Sequence, residues 1–453
     1  MRFTSFHEML SHYAERTPDA PALRYEEGGV CRAMSYAQLV QAVDERSEAL
    51  RAGGKTCLGV FADGSRACVV EIFAAVKAGL QVVLLDRHVP VPLLRGLLPY
   101  TDVDCLWGSP EICEELRYNL TAGVRKGAGR LLFFTSGATG RSKAVILTEK
   151  SLCASAYNGS TLLPLLPEDT LLCVLPLSHV FGFVCGFLWA LSCGACVALG
   201  HGAERAAGDC ALFRPTVVTL VPLLLGFLLR HNLPGEETRL LLIGAGECSE
   251  ALLEAAQARG VRVCFGYGLT ETSSGVALSL GGDDPYAMTV CPDDEITIAP
   301  DGEILVKVRS CMMKGYYKCP EDTSAVLSGG VLRTGDLGRF DQRGRLHVTG
   351  RKKDVLVLSD GTKLFLPEYE QQLRHVLGVD ELAVTLLNGR PTLVLVGKGE
   401  EWRILSQLRP LMAQRPRGQQ ISRIVFVPDA LPRTATGKIK RWELQQKLES
   451  ETP

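Results

Sequence analysis

The stretch Phe134-Thr135-Ser136-Gly137-Ala138-Thr139-Gly140-Arg141-Ser142-Lys143-Ala144-Val145 packs hydroxyls, two glycines and one lysine between apolar, strand-like runs. Such a loop suits an anion. Gly137 and Gly140 let backbone N–H groups turn toward it, Thr135, Ser136 and Thr139 add hydroxyl donors, and Lys143 adds a point charge. The spacing excludes the nucleotide loop G-x-x-x-x-G-K-[ST], because no lysine follows Gly140 and no hydroxyl follows Lys143. Taken alone, the segment reads equally well as a solvated turn.

Outward from this loop, short apolar strands alternate with amphipathic helices. Strands are expected at Cys57–Phe61, Gln81–Leu85, Leu131–Phe134, Leu171–Val174, Val217–Leu220, Leu240–Ile243 and Arg262–Phe265, and helices at Tyr36–Ala52, Ala67–Ala78 and Glu250–Arg259. This is the βαβ rhythm of parallel sheets, which bind ligands beyond the carboxyl ends of their strands. From about Thr289 the pattern changes to short strands with turn signals (Glu295–Ile298, Glu303–Val308), which reads as antiparallel and barrel-like. After Gly350-Arg351-Lys352-Lys353-Asp354 a final unit of about 100 residues mixes strands and helices. The expected fold class is α/β. A large N-terminal domain (residues 1–350) of parallel βαβ sheets plus a small β-barrel-like part precedes a small, mobile α+β C-terminal domain (residues 351–453), with a hinge at 351–354.

Composition narrows the function classes. The 453 residues exceed one core's usual reach, and 49 Lys+Arg against 50 Asp+Glu give a net charge of -1, so nothing argues for a nucleic-acid partner. Sixteen cysteines lie scattered in apolar runs of a chain too large to need disulfide staples. The lone CxxC at Cys193–Cys196 has no second pair and reads as core packing. With no apolar leader at the N-terminus, the expectation is a cytoplasmic protein. Residues 171–203 contain no charged Asp, Glu, Lys or Arg, but glycines punctuate the run. A buried helix followed by the strand Ala195–Leu199 is preferred to a transmembrane span, and contact with a membrane surface stays open.

Four more segments keep the loop company. Gly266-Tyr267-Gly268-Leu269-Thr270-Glu271-Thr272 delivers an aromatic for a base, a hydroxyl for an anionic oxygen and a carboxylate for magnesium at a strand end. Arg333-Thr334-Gly335-Asp336 offers a carboxylate to a ribose diol. Gly350-Arg351-Lys352-Lys353-Asp354 follows, and Pro432-Arg433-Thr434-Ala435-Thr436-Gly437-Lys438 ends in a lysine on a loop. Singly, Glu271 is an exposed loop acid, Asp336 a turn-former and Lys438 a surface lysine. Their order and their places at element ends argue together for one site.

This series resembles the adenylate-forming enzyme superfamily of acyl-CoA synthetases, luciferases and peptide-synthetase adenylation domains, over nearly the full length. Gly315-Tyr316-Tyr317 and Gly350–Leu358 look most like bacterial long-chain fatty acyl-CoA synthetases. The resemblance implies catalytic roles for Lys438, Thr270 and Glu271, with Glu271 on Mg2+. It implies ATP contacts from Thr135, Ser136, Gly137, Thr139, Gly140, Lys143, Gly244, Ala245, Gly246, Tyr267, Gly268, Asp336 and Arg351, and a hinge at Lys353. His179, Phe181 and Gly182 would line the acyl pocket, His179 being otherwise a hydrogen-bonded core histidine. Two departures stand out: Ser142-Lys143-Ala144 where the family commonly has Pro-Lys-Gly, and Glu149 where it commonly has His.

The implied function is activation of a carboxylate as acyl-AMP and its transfer to the thiol of CoA. An amino-acid substrate would want a buried acid for its ammonium, and none lies between Asp169 and Glu204, so a non-amino acid, a fatty acid above all, is expected. Two alternatives remain: loading of a carrier-protein phosphopantetheine, and a non-catalytic nucleotide-binding relative.

Overall fold

The computed structural model describes residues 2–121, 129–135, 143–246, 248, 250–282, 284–358, 363–379, 381–387, 390–433 and 439–451. The protein is mixed α/β, with a large N-terminal part built on two mostly parallel sheets and a smaller C-terminal unit. In the first sheet Cys57–Phe61 pairs in parallel with Gln81–Leu85 and Cys105–Trp107, and Gln81–Leu85 pairs in parallel with Arg130–Phe134. The second, nine-stranded sheet runs in parallel through Cys196–Leu199, Thr170–Cys173, Val217–Leu220, Leu240–Ile243 and Arg262–Leu269. These runs are largely apolar, as strands covered on both faces must be.

One core cluster joins both sheets. The helix Arg66–Lys77 buries nearly every residue from Cys68 to Val76, and the same cluster takes in Leu58, Leu84 and Phe133 of one sheet and Leu23, Leu171 and Leu240 of the other. A helix apolar on all sides belongs between layers. Its one acid, Glu71, is buried and held by Arg46 through two hydrogen bonds of 2.6 and 2.9 Å, a fork geometry that compensates the burial.

The charge-free run folds as a helical segment from Val180 to Ser192, whose middle, Val184–Leu188, is π-helical, followed by the strand Cys196–Leu199. Phe183, Phe187, Trp189 and Leu191 are buried in the protein core. Among the described residues no helix is long and apolar enough to cross a membrane. All sixteen cysteines are free thiols.

Past the parallel sheets, Asp294–Ile298, Glu303–Val308, Val331–Phe340, Leu327–Ser328 and Leu346–Arg351 form a five-stranded antiparallel sheet. It is tied to the helix Glu149–Leu162 by Asn158, whose amide nitrogen donates to Asp294 Oδ2 (2.7 Å) and whose oxygen accepts from the Asp293 N–H (3.2 Å). Burial, with the neighbouring Asp293 charge second, pushes the Asp294 carboxyl up to about 7. The folded protein therefore binds a proton there that the unfolded chain has already lost, and stability falls as pH rises from about 4 to about 7. Asp294→Asn is expected to flatten that slope, raising stability near neutral pH by a few kcal/mol at most, since each pH unit of such a window is worth about 1.4 kcal/mol. Urea denaturation of both proteins across that pH range measures it.

Glu149 is also explained by packing. Its Oε1 accepts the Phe6 N–H at 2.9 Å, joining the N-terminal helix Phe6–Arg16 to the start of the helix Glu149–Leu162, and burial raises its carboxyl above the usual range. The C-terminal unit has its own core clusters, among them Leu366, Tyr369, Leu373, Val384 and Leu393, between the helices Leu366–Leu377 and Glu401–Ala413 and the sheet of Leu382–Leu387, Arg390–Val396 and Arg423–Val427.

Candidate functional site

The loop quoted first joins two antiparallel strands, Arg130–Phe134 and Ala144–Thr148. Its base is closed by Thr135 N–H to Lys143 O (3.0 Å) and Lys143 N–H to Thr135 Oγ1 (3.2 Å). Ser136, Gly137, Thr139 and Gly140 lie outside the described residues, as does Lys438. The Lys143 ammonium pairs with Asp322 at 3.0 Å and stands 4.7 Å from the Tyr316 ring centroid.

Arg262–Leu269 runs longer than the sequence suggests. Up to Phe265 it follows Leu240–Ile243 in parallel, and beyond Gly266 it turns to a new partner, pairing antiparallel with Ser274–Leu278 across a bulge at Tyr267/Gly268. That pairing is a tertiary choice, invisible in the short run Arg262–Phe265. It brings the Gly268 backbone so close to its partner that a Cβ there would sit 1.8 Å from the Ser274 carbonyl oxygen. Only glycine fits. Ser273 and Ser274 carry positive φ (53° and 107°), as does Ala245 (62°) at the end of Leu240–Ile243. Strained non-glycine residues gather where a site over-determines the backbone.

Three contact sets form at these strand ends. In the first, the Tyr267 hydroxyl donates to Asp336 Oδ2 at 3.0 Å, and Arg351 Nε lies 2.7 Å from Asp336 Oδ1. Asp336 is buried, and burial, then the Asp336 charge, raises the Tyr267 phenol far above its ordinary value. In the second, the Tyr316 hydroxyl donates to Glu271 Oε1 at 2.6 Å, so one aromatic links Glu271 to Lys143. In the third, Gly244 faces Phe181, where an added Cβ would meet the ring at 2.5 Å, while Gly182 packs on the Pro176 carbonyl. Gly246 lies against Pro222. His179 is half-exposed beside Asp86 (Nε2 to Oδ2, 3.6 Å), and that bond holds the Asp86 carboxyl below its usual range. Thr270 opens a short 3-10 turn through Thr272.

Tyr316, Asp322 and Asp86 carry no role in the sequence reading. Tyr316 had a signal, the Gly315-Tyr316-Tyr317 run; Asp86, following the strand Gln81–Leu85, had none beyond its position.

The 351–354 segment is held from both sides. Arg351 meets Asp336 as described, and Lys352 Nζ reaches Asp301 (2.7 Å) and Glu303 (3.1 Å). Asp354 instead faces Arg441 of the C-terminal helix at 4.0 Å.

A bare carboxylate beside a hydroxyl donor also suits a hard cation. Glu271 Oε2 has no hydrogen-bond partner among the described residues, and no cluster there could hold a metal by itself. This fits Mg2+ shared with phosphate oxygens and water, its usual mode.

The AMP-binding enzyme family matches residues 124–317. Indoleacetate–CoA ligase of Aromatoleum aromaticum is 28% identical over 508 residues, covering 98% of this chain and 98% of that protein. A long-chain-fatty-acid–CoA ligase of Mycobacterium tuberculosis is 26% identical over 76% of this chain and 74% of its own length. Among solved structures, o-succinylbenzoate coenzyme A synthetase from Bacillus subtilis in complex with ATP and a magnesium ion superimposes with a TM-score of 0.79 at 25% identity, over 96% of this chain and 99% of that one.

Proposed function

We propose, from the premise that this chain belongs to the AMP-binding enzyme family, that it is an ATP-dependent acid–thiol ligase acting on a non-amino-acid carboxylate, with CoA as acceptor and the cytoplasm as its location. The observation that supports this most is the Tyr267–Asp336–Arg351 contact at the carboxyl ends of the parallel strands, where open sheets bind ligands. A tyrosine face, a buried acid and an arginine suit a base, a ribose diol and a phosphate in that order.

In this reading the substrate carboxylate attacks the α-phosphorus of ATP, pyrophosphate leaves, and the thiol then attacks the acyl carbonyl and expels AMP. The side chains supply position and charge. Lys438 steadies carboxylate and α-phosphate oxygens; Thr270 donates to the same group; Thr135, Ser136, Thr139 and Lys143 hold the leaving pyrophosphate, with Gly137 and Gly140 shaping their loop. Lys143 would leave Asp322 to do so. Glu271 would hold Mg2+, which offsets phosphate charge when bound. Gly244, Ala245 and Gly246 bound the adenine and acyl side, with His179, Phe181 and Gly182 lining the acyl pocket. Residues 351–453 turn between the two half-reactions about Lys353, the residue between the anchors at Lys352 and Asp354.

The acid's class is the open part. The fatty-acid reading draws on the Mycobacterium tuberculosis relative, whereas the relative covering 98% of this chain is named for an aromatic acid. Carboxylate-dependent ATP–pyrophosphate exchange across fatty, aryl and amino acids tests the proposal. Exchange is expected with a fatty or aryl acid. Exchange with none, or with amino acids alone, overturns it.

A further inference from the structure

Behind the Gly268 hairpin lies a small cavity of about 20 Å³, lined among others by Ser155, Gly159, Cys185, Trp189, Gly275 and Leu278. Gly275 is the cross-strand partner of Gly268, so the cavity adjoins the strand that carries Tyr267. Its size decides what can enter. About 15 Å³ of such space holds one water, so a single small substituent fits and a long alkyl tail does not. Trp189 is locked in place, with its indole N–H donating to the Leu163 carbonyl at 3.1 Å and only 4% of it exposed.

The lining is apolar but for the Ser155 hydroxyl and the thiols of Cys185 and Cys291, the last pushed well above its usual range by burial. The Cys185 thiol is already engaged, 3.3 Å from Ser274 Oγ, and burial pushes it up to about 11, which keeps it neutral. Ser155 is different. It is 3% exposed, and its hydroxyl has no hydrogen-bond partner among the described residues. Helical hydroxyls ordinarily bond back to a carbonyl of the preceding turn; in the same helix Ser160 does so to Tyr157 (2.7 Å) and Thr161 to Asn158 (2.7 Å). A hydroxyl buried without a partner is costly, and a ligand group that meets it removes the cost.

We propose that Ser155 is a specificity-determining residue, selecting a compact carboxylic acid that carries a hydroxyl or keto group at the end remote from its carboxylate. The proposal rests on the ligase reading above. The acid's body lies along Phe181 and Gly275, and its terminal oxygen enters the cavity to meet the Ser155 hydroxyl.

The test compares kcat/KM for thioester formation with three aryl acids that differ only at the far position: hydrogen, hydroxyl or methyl. The native protein is expected to favour the hydroxyl compound over the methyl one. Ser155→Ala should lower that preference about tenfold, the worth of one hydrogen bond, without slowing the unsubstituted acid. Ser155→Val fills the space and should reject both substituted acids while still accepting the unsubstituted one. Melting temperatures of both variants check that the fold is kept. A hydroxyl preference that is absent, or unaltered in Ser155→Ala, overturns this proposal while leaving the ligase reading standing. Failure of every acid to support ATP–pyrophosphate exchange sinks that reading, and this one with it.

Discussion

Lys438→Ala is expected to slow acyl-adenylate formation by about 10²–10³-fold, the loss seen when one donor aimed at developing charge is removed. In the proposed first half-reaction two anions, a carboxylate and the α-phosphate, must approach each other, and the sequence segment 432–438 carries the one lysine that the family likeness assigns to bridging them. Transfer of the acyl group from preformed acyl-AMP to the thiol has no use for that amine and should proceed at close to the native rate. ATP–pyrophosphate exchange reports the first half-reaction, and thioester formation from synthetic acyl-AMP reports the second. Equal losses in both would remove Lys438 from the adenylation step and point to a role in holding the fold.

Asp336→Ala should act on nucleotide binding with comparable force. The carboxylate is buried, receives the Tyr267 hydroxyl at 3.0 Å and pairs with Arg351 at 2.7 Å. Removing it strands a buried phenol and an arginine and, in the proposed nucleotide-bound state, takes two charge-assisted bonds from a ribose diol, each worth about 1.5–3 kcal/mol. Because Arg351 keeps partial access to water, the stability cost is expected nearer about 1–3 kcal/mol than the full penalty of a broken buried pair. The expected result is a kcat/KM for ATP reduced about 100-fold or more, with the KM for the thiol little changed. Asp336→Asn keeps an acceptor for Tyr267 but loses the charge facing Arg351, so it should fall between alanine and native. A thiol KM raised as much as that for ATP would mean the residue shapes the whole cleft and not the ribose position.

The α/β class and most parallel strands are legible in the sequence because strands covered on both faces are written as short apolar runs. Cys57–Phe61, Gln81–Leu85, Val217–Leu220 and Leu240–Ile243 stand where such runs fall. Pairing partners are not written that way. Nothing in Gly266–Leu269 shows that it leaves a parallel neighbour for Ser274–Leu278, nor that Gly268 is required by the closeness of that second strand. Within the site, Tyr267, Asp336 and Arg351 were visible as motif residues, but their mutual contact depends on a sheet far downstream in the chain. Tyr316 and Asp86 escaped because a hydroxyl or carboxylate gains meaning from what packs beside it. Ser155 is the extreme case: a serine amid helical residues carries no signal until packing withholds a partner from it.

The claim on which the rest depends is that the acid is activated by direct attack on the α-phosphorus. It is tested by supplying a turned-over acid with heavy-isotope oxygen in its carboxylate and analysing the phosphorus products by mass spectrometry. The account predicts one labelled oxygen per AMP and none in pyrophosphate. Label in pyrophosphate or inorganic phosphate, or unlabelled AMP beside labelled thioester, would contradict it.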